Sequence, residues 1–174
     1  IRYKLKSDGG IGAKQWDAGI KLDNKAADTR SIWTAHVNLA TSLNNFTTSN
    51  ASVLRSELYS GSVMGSMSET TQIINFTRGY DSFDEDKDGS TIDERWKLAD
   101  IYHSNPVLVA KPNAGEDTSN KNSDDYYRHQ NNYKAFKNKW STRPVTILAG
   151  SNGGMLHAFS NVSGDEKWAF IPPS

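Results

Sequence analysis

The chain has 174 residues, with 20 Lys and Arg against 20 Asp and Glu and no Cys, so its formal net charge is zero. This balance shows no basic excess that would argue for nucleic acid or an anionic membrane as the main partner, and the lack of Cys excludes disulfides, zinc–thiolate sites and thiol catalysis. No apolar run approaches the roughly 20 residues of a membrane span, so we expect neither a membrane span nor a nucleic acid partner. The sequence starts at Ile1 without a signal-peptide pattern, and we interpret it as processed, proteolysed or excerpted.

The first quarter of the chain has the pattern of short strands separated by turns. Tyr3 and Leu5 alternate with charged residues, as in a strand with one buried face. Ser7-Asp8-Gly9-Gly10 is a strong turn signal. We predict a second strand over residues 14–22 and a third that begins near Arg30.

Two helices are predicted in the second quarter. The first is capped by Ser49 or Asn50 and ends at Gly61. The second covers Ser68 to Arg78, with Ser68 as its cap, and Gly79 stops it.

The third quarter combines a short apolar run with a long polar stretch. The composition of residues 106–110 predicts a buried strand, and residues 112–125 predict an exposed, mobile insertion. A third helix is predicted over residues 124–140, because its aromatic residues fall on one helical face. We expect this face to pack in the core; it consists of Tyr126, Tyr133, Phe136 and Trp140.

The last quarter is predicted to be β-structure again. A strand over residues 145–149 leads into a hairpin turn at 150–153, where Asn-Gly supplies the positive φ angles of tight hairpins. The return strand covers residues 155–160, and a further turn at 163–166 precedes a third strand at 167–171.

The acidic stretch from Asp84 to Glu94 is the sharpest chemical signal. Asp84, Asp86 and Asp88 place carboxylates at alternating positions, and the following Gly permits a sharp turn. Oxygen ligands that converge at 2.3–2.6 Å are what Ca²⁺ requires, whereas Mg²⁺ prefers more water. The predicted calcium ligands are Asp84, Asp86, Asp88, the carbonyl of Ser90, and either Asp93 or Glu94 as the closing carboxylate.

This loop departs from a regular EF-hand in its closing residue. An EF-hand has a bidentate Glu at loop position 12, and Arg95 stands there. A shortened calcium loop is therefore our first interpretation. The alternative is a solvated acidic turn that Lys87 and Arg95 partly neutralise.

A weak internal repeat joins the two β-rich ends of the chain. Gly12 to Trp16 and Gly164 to Trp168 both read Gly-x-x-x-Trp and both follow a predicted turn. Such a pattern suits a propeller blade, in which the Trp packs between neighbouring hairpins, although two copies of so short a pattern also arise by chance. Two partial blades leave open strand edges, so we predict that the chain is part of a longer polypeptide or is completed by another chain.

No catalytic constellation is visible in the sequence, and we predict that the chain is not an enzyme. The four His residues have no metal-ligand spacing, and His103 and His157 are expected to be hydrogen-bonded core or edge residues. The glycine-rich residues 150–154 fit a hairpin better than a phosphate site, because no helix follows them.

Residues 73–80 (IINFTRGY) precede the acidic loop, and residues 95–107 (RWKLADIYHSNPV) follow it. These blocks are similar to the NFxRG and LGDIxHSSPV motifs of the PilY family of type IV pilus proteins, and further blocks resemble that family in the expected order along nearly the whole chain. Residues 150–159 (GSNGGMLHAF) resemble GANDGMLHAF, and the tail at 168–173 (WAFIPP) also matches. Asn152-Gly153 replaces the family's usual Asn-Asp, which weakens the case for an ion at that turn.

The resemblance implies a mainly β fold with inserted helices: a partial β-propeller of quinoprotein-like blades. Residues 1–174 would form part of one β-propeller domain. Within it, residues 1–43, 98–112 and 144–172 would supply strands, and residues 50–80 and 113–142 would be insertions with helices.

The resemblance also implies an extracellular protein, at the pilus tip or the outer surface of a bacterium. Family members promote pilus assembly and adhere to surfaces, and some use calcium. The implied partners are pilins or minor pilins, the remainder of the propeller or a completing chain, and a host or abiotic surface. Two alternatives stay open: a structural subunit of an extracellular filament completed by a separate chain, and a fragment of a quinoprotein dehydrogenase, whose active-site residues are not visible here.

Overall fold

The structure is a computed structural model that describes residues 1–39, 42–59 and 64–173. The predicted end of the first helix at Gly61 lies outside the described residues. No helix of the described ranges combines the length and the apolar character needed to cross a membrane.

The described residues form a mixed helix and sheet architecture rather than a mainly β one, since the α-helices contain more residues than the strands. Two short 3₁₀ turns, at Ala27–Thr29 and Thr48–Asn50, accompany these elements. The strands are β1 (Arg2–Leu5), β2 (Ile11–Trp16), β3 (Ile32–Thr34), β4 (Val107–Val109), β5 (Thr146–Gly150), β6 (Leu156–Ser160) and β7 (Glu166–Ile171). The α-helices are α1 (Ala18–Asp23), α2 (Ala51–Leu58), α3 (Met67–Arg78), α4 (Asp124–Gln130) and α5 (Tyr133–Lys139).

The main sheet has five strands in the order β3-β7-β6-β5-β4. Strands β4 to β7 form an antiparallel meander in chain order, whereas β3 lies parallel to β7. Parallel neighbours need a long crossover, and here the chain between β3 and β7 contains α2 to α5 and the acidic loop. The hairpin of β1 and β2 forms a separate two-stranded sheet.

The core lies between the main sheet and the helices α2 and α3. Alternate positions of the inner strands and one stripe of each helix meet there, as expected for helices packed on one face of a sheet. Its buried residues are Ile32, Phe46, Ala51, Leu54, Ile74, Met155 and Ala169.

The predicted strand over residues 14–22 is wrong beyond Trp16. Asp17 has extended backbone, and its side chain accepts hydrogen bonds from the N–H groups of Gly19 and Ile20. This is an N-cap, and it starts α1 immediately after β2. In α1 the buried residues are Gly19 and Leu22, three positions apart as on one side of a helix, whereas Ile20 is 48% exposed.

Helix α3 confirms the predicted stop at Gly79 but begins earlier than predicted. Ser66 is the cap rather than Ser68, because the Ser66 side chain accepts from the Glu69 N–H while Glu69 accepts from the Ser66 N–H. This reciprocal capping box provides acceptors for two N–H groups that have no hydrogen-bond partner within the helix. Gly79 ends the helix at φ +123°, a conformation that residues with a side chain rarely adopt.

The predicted helix over residues 124–140 is two helices, α4 and α5, which are separated by Asn131 and Asn132. Asn132 has a left-handed backbone with φ +58°, which interrupts the helical hydrogen bonds. The aromatic face is not core either, because Phe136 is 43% and Trp140 39% exposed.

Strand β4 is an edge strand, and the predicted burial of residues 106–110 is wrong. Val107 and Leu108 are 57% and 64% exposed, since β5 covers only one edge of β4 and no described element packs on both its faces. His103 is likewise exposed and lies on irregular chain rather than on a strand.

The tryptophans of the repeat both pack against other parts of the chain. The Trp16 ring lies on Gly164, in the turn between β6 and β7, and its Nε1 donates to the carbonyl of Asn161 over 3.3 Å. Trp168 meets Trp33 edge to face, with ring centroids 6.3 Å apart. The contact of Trp16 with Gly164 thus anchors the β1–β2 hairpin on the main sheet.

A buried ion pair connects the two parallel strands of the main sheet. Arg30, just before β3, donates from Nε and Nη2 to the two carboxylate oxygens of Glu166 in β7, each over 2.9 Å. Both side chains are fully buried. His157 of β6 is also fully buried, and its Nδ1 lies 2.8 Å from Glu166, which confirms its prediction as a hydrogen-bonded core residue. An ionised carboxylate only accepts hydrogen bonds, so Nδ1 carries the proton.

Arg78 completes this buried ion network (Arg30, Arg78, His157 and Glu166). Its guanidinium donates to the carbonyls of Phe46, Ala27, Asp28 and Arg30. Arg30 in turn donates to the carbonyl of Arg78 over 2.7 Å. The end of α3 is therefore tied to the chain that leads into β3.

Electrostatics within the network keep Glu166 ionised. Burial alone would raise the pKa of Glu166, but hydrogen bonds from His157 and Arg30, together with the charge of Arg30, lower it to about 2. Burial, and next the charge of Arg30, lowers the pKa of Arg78. The network stabilises the fold only while Glu166 carries its negative charge.

We expect Gly164→Ala to destabilise the protein by more than Gly154→Ala. Both glycines have φ +77°, so an added Cβ costs about 1–2 kcal/mol of backbone strain at either site. Only at Gly164 would the Cβ also lie 2.7 Å from the Trp16 ring, whereas nothing lies within 4 Å at Gly154. Urea unfolding of the two variants measures the difference, and equal losses would contradict the packing of Trp16 on Gly164.

Removing one partner of the Arg30–Glu166 pair should cost far more than removing both. Arg30→Met or Glu166→Gln leaves an uncompensated buried charge, for which we expect about 3–5 kcal/mol of lost unfolding free energy. The double variant should recover a large part of this loss. A double-mutant cycle by urea unfolding checks it, and simple additivity of the two losses would refute the coupling.

The unfolding free energy should fall in acid because of Glu166. Its pKa is about 2 in the folded chain and about 4.3 when unfolded. The unfolded state therefore binds the proton first, and the stabilisation, about 3 kcal/mol, is present above pH 4–5 and is lost as the pH falls towards 2. Urea unfolding between pH 6 and pH 2 measures this slope. The Arg30→Met/Glu166→Gln double variant is the control, and its unfolding free energy should depend clearly less steeply on pH.

Candidate functional site: the acidic loop

The acidic loop leaves α3 and returns to the same place. Tyr80 and Glu94 form an isolated antiparallel bridge, in which the Asp81 N–H donates to the Asp93 carbonyl and the Arg95 N–H donates to the Gly79 carbonyl, each over 2.9 Å. This bridge closes residues 82–92 into a compact loop. The end of α3, which the buried ion network holds, is therefore also the base of the loop.

The loop brings carboxylates together in two clusters that share Asp86. The outer cluster contains Asp84, Asp86 and Asp88, and the inner cluster contains Asp81, Asp86 and Asp93. Within each cluster one oxygen from every residue lies within 4.8 Å of the others. Oxygens on opposite sides of a calcium ion are about 4.6–5.2 Å apart, so both clusters have suitable dimensions for Ca²⁺.

The inner cluster is the less exposed of the two. Asp81 is only 3% exposed, and its carboxylate accepts from the N–H groups of Glu85 and Asp86. One buried oxygen of Asp93, Oδ1, has no hydrogen-bond partner among the described residues. A buried carboxylate oxygen without a partner is costly, and a bound cation would relieve that cost.

The backbone of the loop forms tight turns, and these direct the aspartate carboxylates towards the backbone of the loop itself. Asp84 and Lys87 have positive φ angles of 51° and 62°, and Gly89, which the sequence predicts as the sharp-turn residue, has φ +86°. The carboxylates of Asp84 and Asp88 accept from backbone N–H groups later in the loop, those of Gly89 and Ser90. Such side chain-to-backbone hydrogen bonds are the usual way in which Asp supports a turn.

Of the two residues predicted to close the loop, the structure brings Asp93 into a cluster and holds Glu94 elsewhere. The Glu94 carboxylate accepts from the Ala27 N–H over 2.7 Å and pairs with Lys97 Nζ over 2.8 Å. Burial would raise the pKa of Glu94, but the hydrogen bonds from Lys97 and Ala27 outweigh it and lower that pKa. Glu94 therefore links the base of the loop to the segment before β3.

The remaining predicted ligand, Ser90, lies on the loop beside the outer cluster. Its N–H donates to Asp88, and its side-chain oxygen accepts from Ile92. Asp81 was not predicted from the sequence, because it stands three residues before the alternating acidic run. Only the bridge at the base of the loop brings it to Asp86 and Asp93.

Arg95 does not neutralise either cluster. Its guanidinium pairs with Glu85 over 2.9 Å and lies 3.9 Å from the centroid of the Phe76 ring. In the described ranges no Lys or Arg pairs with an aspartate of the clusters. The alternative, a solvated turn that Lys87 and Arg95 partly neutralise, is supported only by the Arg95–Glu85 pair, which leaves the aspartates of both clusters without an ion pair among the described residues.

Lys97 packs across the glycine that ends α3. Its side chain is almost fully buried, and a Cβ at Gly79 would lie 2.7 Å from Lys97 Cγ. Lys97 Nζ also donates to the Asp23 carbonyl at the end of α1. The loop base, α1 and α3 therefore meet at this one side chain.

A second constellation, at the β5–β6 hairpin, has the spacing of a catalytic triad. Ser151 Oγ lies 3.1 Å from Nε2 of His157, whose Nδ1 contacts Glu166. The backbone N–H groups around Ser151 are already used, since Ser151 donates to Met155, Asn152 to Asp100, and Gly154 to Ser151 itself. An acyl-transfer site needs such donors for the oxyanion, and the arrangement instead orients His157 within the buried ion network.

Comparison with known proteins identifies relatives of the chain. No protein-family model matches it, and no solved structure matches it. It is 32% identical over 178 residues to the type IV pilus biogenesis factor PilY1 of Pseudomonas aeruginosa (strain UCBPP-PA14), an alignment that covers 99% of this chain and 14% of that protein. Two further alignments, 31% and 29% identical, are to type IV pilus biogenesis factor PilY1 homologs of Xylella fastidiosa (strain Temecula1) and cover 60% and 98% of this chain.

The chain spans only a small part of these curated relatives, between 8% and 14% of their length. The alignment to the first of them nevertheless covers nearly the whole of this chain. The resemblance to the PilY family is thereby confirmed, and this chain is homologous to a segment of the PilY1 type IV pilus biogenesis factors.

Proposed function

We propose that this chain is a structural and binding segment of a PilY-type protein that supports type IV pilus biogenesis, with a calcium ion stabilising its acidic loop. The observation that carries the proposal is the identity of 32% to a pilus biogenesis factor over 99% of the chain. The segment acts by binding other proteins rather than by catalysis.

Calcium has a structural role in this proposal. Asp84, Asp86, Asp88 and Asp93, with Asp81 in addition, supply the carboxylates that would hold the ion. Bringing these charges together without a cation is unfavourable, and a divalent ion offsets the repulsion. Because the loop is closed at the end of α3, ion binding would stabilise the contacts of Glu94 and Lys97 at its base.

The main sheet supports the proposed place of the segment in a larger β-propeller. Strands β4 to β7 are consecutive and antiparallel, which is the arrangement of one four-stranded blade. The β1–β2 hairpin, with Trp16 packed on Gly164, would belong to an adjacent blade. The rest of the propeller lies in the same polypeptide, as the length of the relatives suggests, or in a completing chain.

The proposed location is extracellular, at the pilus tip or the outer surface of a bacterium, where the segment would contact pilins or minor pilins and a host or abiotic surface. These finer roles come from the family resemblance. A filament subunit completed by a separate chain remains the second candidate, and the exposed edge strand β4 is the observation that favours it.

Calcium should raise the melting temperature of the protein, and Asp86→Asn should abolish most of that rise. Asp86 belongs to both carboxylate clusters, so its loss weakens either arrangement. An ion that binds only the folded state adds about 2.7 kcal/mol at a concentration of 100 times Kd. Differential scanning calorimetry with calcium and with chelator measures this effect.

Glu85→Gln is the matched control for that prediction. It removes one negative charge from the same loop, but Glu85 pairs with Arg95 and belongs to neither cluster. Its calcium response should equal that of the wild type. An unchanged melting curve of the wild type with calcium, or equal losses in the two variants, would refute the calcium proposal.

Deletion of the gene should abolish surface pili and twitching motility, and the intact gene should restore both. Electron microscopy of the cell surface and a twitching assay measure the outcome. Normal piliation in the deletion strain would refute the proposed role in pilus biogenesis, whatever the result with calcium.

A further inference from the structure

The β1–β2 hairpin is largely uncovered in the described structure. It pairs with no third strand, and every residue of β1 is exposed. Leu5 and Ile11 are cross-strand partners and are 74% and 72% exposed, and Tyr3, on the same face of β1, is 48% exposed. Two-stranded hairpins are marginal in water unless a further strand or layer covers them.

Among the residues that the structure describes, the contacts that hold the hairpin to the main sheet lie at its base. Arg2 and the Trp16 indole both donate to the Asn161 carbonyl, and the Trp16 ring rests on Gly164. Towards the tip, the contacts are internal to the turn, such as the hydrogen bond from the Gly10 N–H to Asp8 over 2.9 Å. The outer edge of β1 therefore presents open backbone groups beside apolar side chains.

The hairpin also has a strong excess of positive charge. Residues 1–16 contain Arg2, Lys4, Lys6 and Lys14 against the single carboxylate of Asp8. Within residues 1–39, 42–59 and 64–173, no carboxylate pairs with any of the three lysines. The surface therefore favours an occupant with acidic side chains.

We propose that the outer edge of β1 pairs with a β-strand of the same polypeptide from outside these 174 residues, and that this strand carries acidic side chains beside Lys4 and Lys6 and apolar ones beside Tyr3 and Leu5. The inference rests on the proposed function, in which the chain is a segment of a longer PilY-type protein. The first relative is about seven times as long as this segment, since the chain spans 14% of it, so in a protein of that length most residues would lie outside the segment. Pairing with a strand on the same chain is intramolecular, and the resulting effective concentration favours it over a separate protein.

Hydrogen exchange in the full-length polypeptide tests the proposal residue by residue. In a two-stranded antiparallel hairpin only alternate amides of β1 are hydrogen-bonded to β2. With a strand on both edges, all four amides of Arg2–Leu5 are paired and should exchange at least about tenfold more slowly than unprotected amides. Alternate amides that exchange at unprotected rates in the wild-type protein would overturn the proposal.

Charge reversal tests the predicted chemistry of the strand. Lys4→Glu/Lys6→Glu should accelerate exchange of the outward amides of β1 by about tenfold or more, because like charges then face each other across the pair. Lys121→Glu/Lys134→Glu, a matched double reversal in the exposed segment around α4, should leave those amides unchanged. Equal exchange rates of these amides in the two double variants would overturn the proposal that the partner strand is acidic.

Two other occupants are separate outcomes of the same measurement. Protection of β1 that depends on protein concentration would indicate a second copy, and protection that needs added pilins would indicate a pilin; either result overturns the proposal. If the outer amides exchange freely in a full-length protein that still restores pili to the deletion strain, only this inference fails. Failure to restore pili would count against the proposed function alone.

Discussion

The ion pair between Arg30 and Glu166 is the interaction on which the rest of the structure depends. It joins the approach to β3 to the start of β7, two strands that lie side by side although 136 residues separate these partners in sequence. Both side chains are fully buried, so each charge needs the other and the hydrogen bonds around it. Since β3 is parallel to β7, a misplaced β3 would leave the buried Glu166 without its arginine partner.

The same network determines where the acidic loop stands. Arg78, the last residue of α3, donates to the Arg30 carbonyl over 2.8 Å and to carbonyls of the preceding turn. Gly79 then ends the helix, and the Tyr80–Glu94 bridge closes the loop directly on it. Glu94 and Lys97 hold the other side of the base against Ala27 and Asp23. A change of charge in the loop therefore affects the residues at the base of the loop, which are connected to the buried ion network.

This arrangement explains why a calcium site would suit the segment. The aspartates cluster with no basic partner among the described residues, whereas the nearby basic side chains serve other contacts. A divalent cation would offset part of the negative charge of the loop without disturbing the network beneath it. The proposed ion is therefore a local stabiliser of the loop and its base, which is the kind of role expected in a protein that binds and assembles.

Much of the local structure follows from the sequence, because its signals are local. The acidic loop, the stop of α3 at Gly79 and the C-terminal strands were all predicted from residues that are neighbours in the chain. The positive φ angles predicted for Asn152-Gly153 were wrong, since Gly154 takes the positive φ of that turn instead. The misses also have local causes: Asp17 caps α1 where a strand was predicted, and the left-handed Asn132 divides the helix predicted over residues 124–140. Asp17 acts through its side chain, which caps the helix, and Asn132 acts through its left-handed backbone; the apolar pattern reveals neither.

By itself, the sequence determined the family, the acidic run and the Gly-x-x-x-Trp segments, since each depends on residue type and spacing alone. Only the tertiary structure decided that Asp81 joins the carboxylates, that Glu94 leaves them for Lys97, and that Arg30 and Glu166 share a buried site. The physical reason is that the pairing of buried charges depends on which distant segments the fold brings together, and neither hydrophobic period nor local spacing encodes that information.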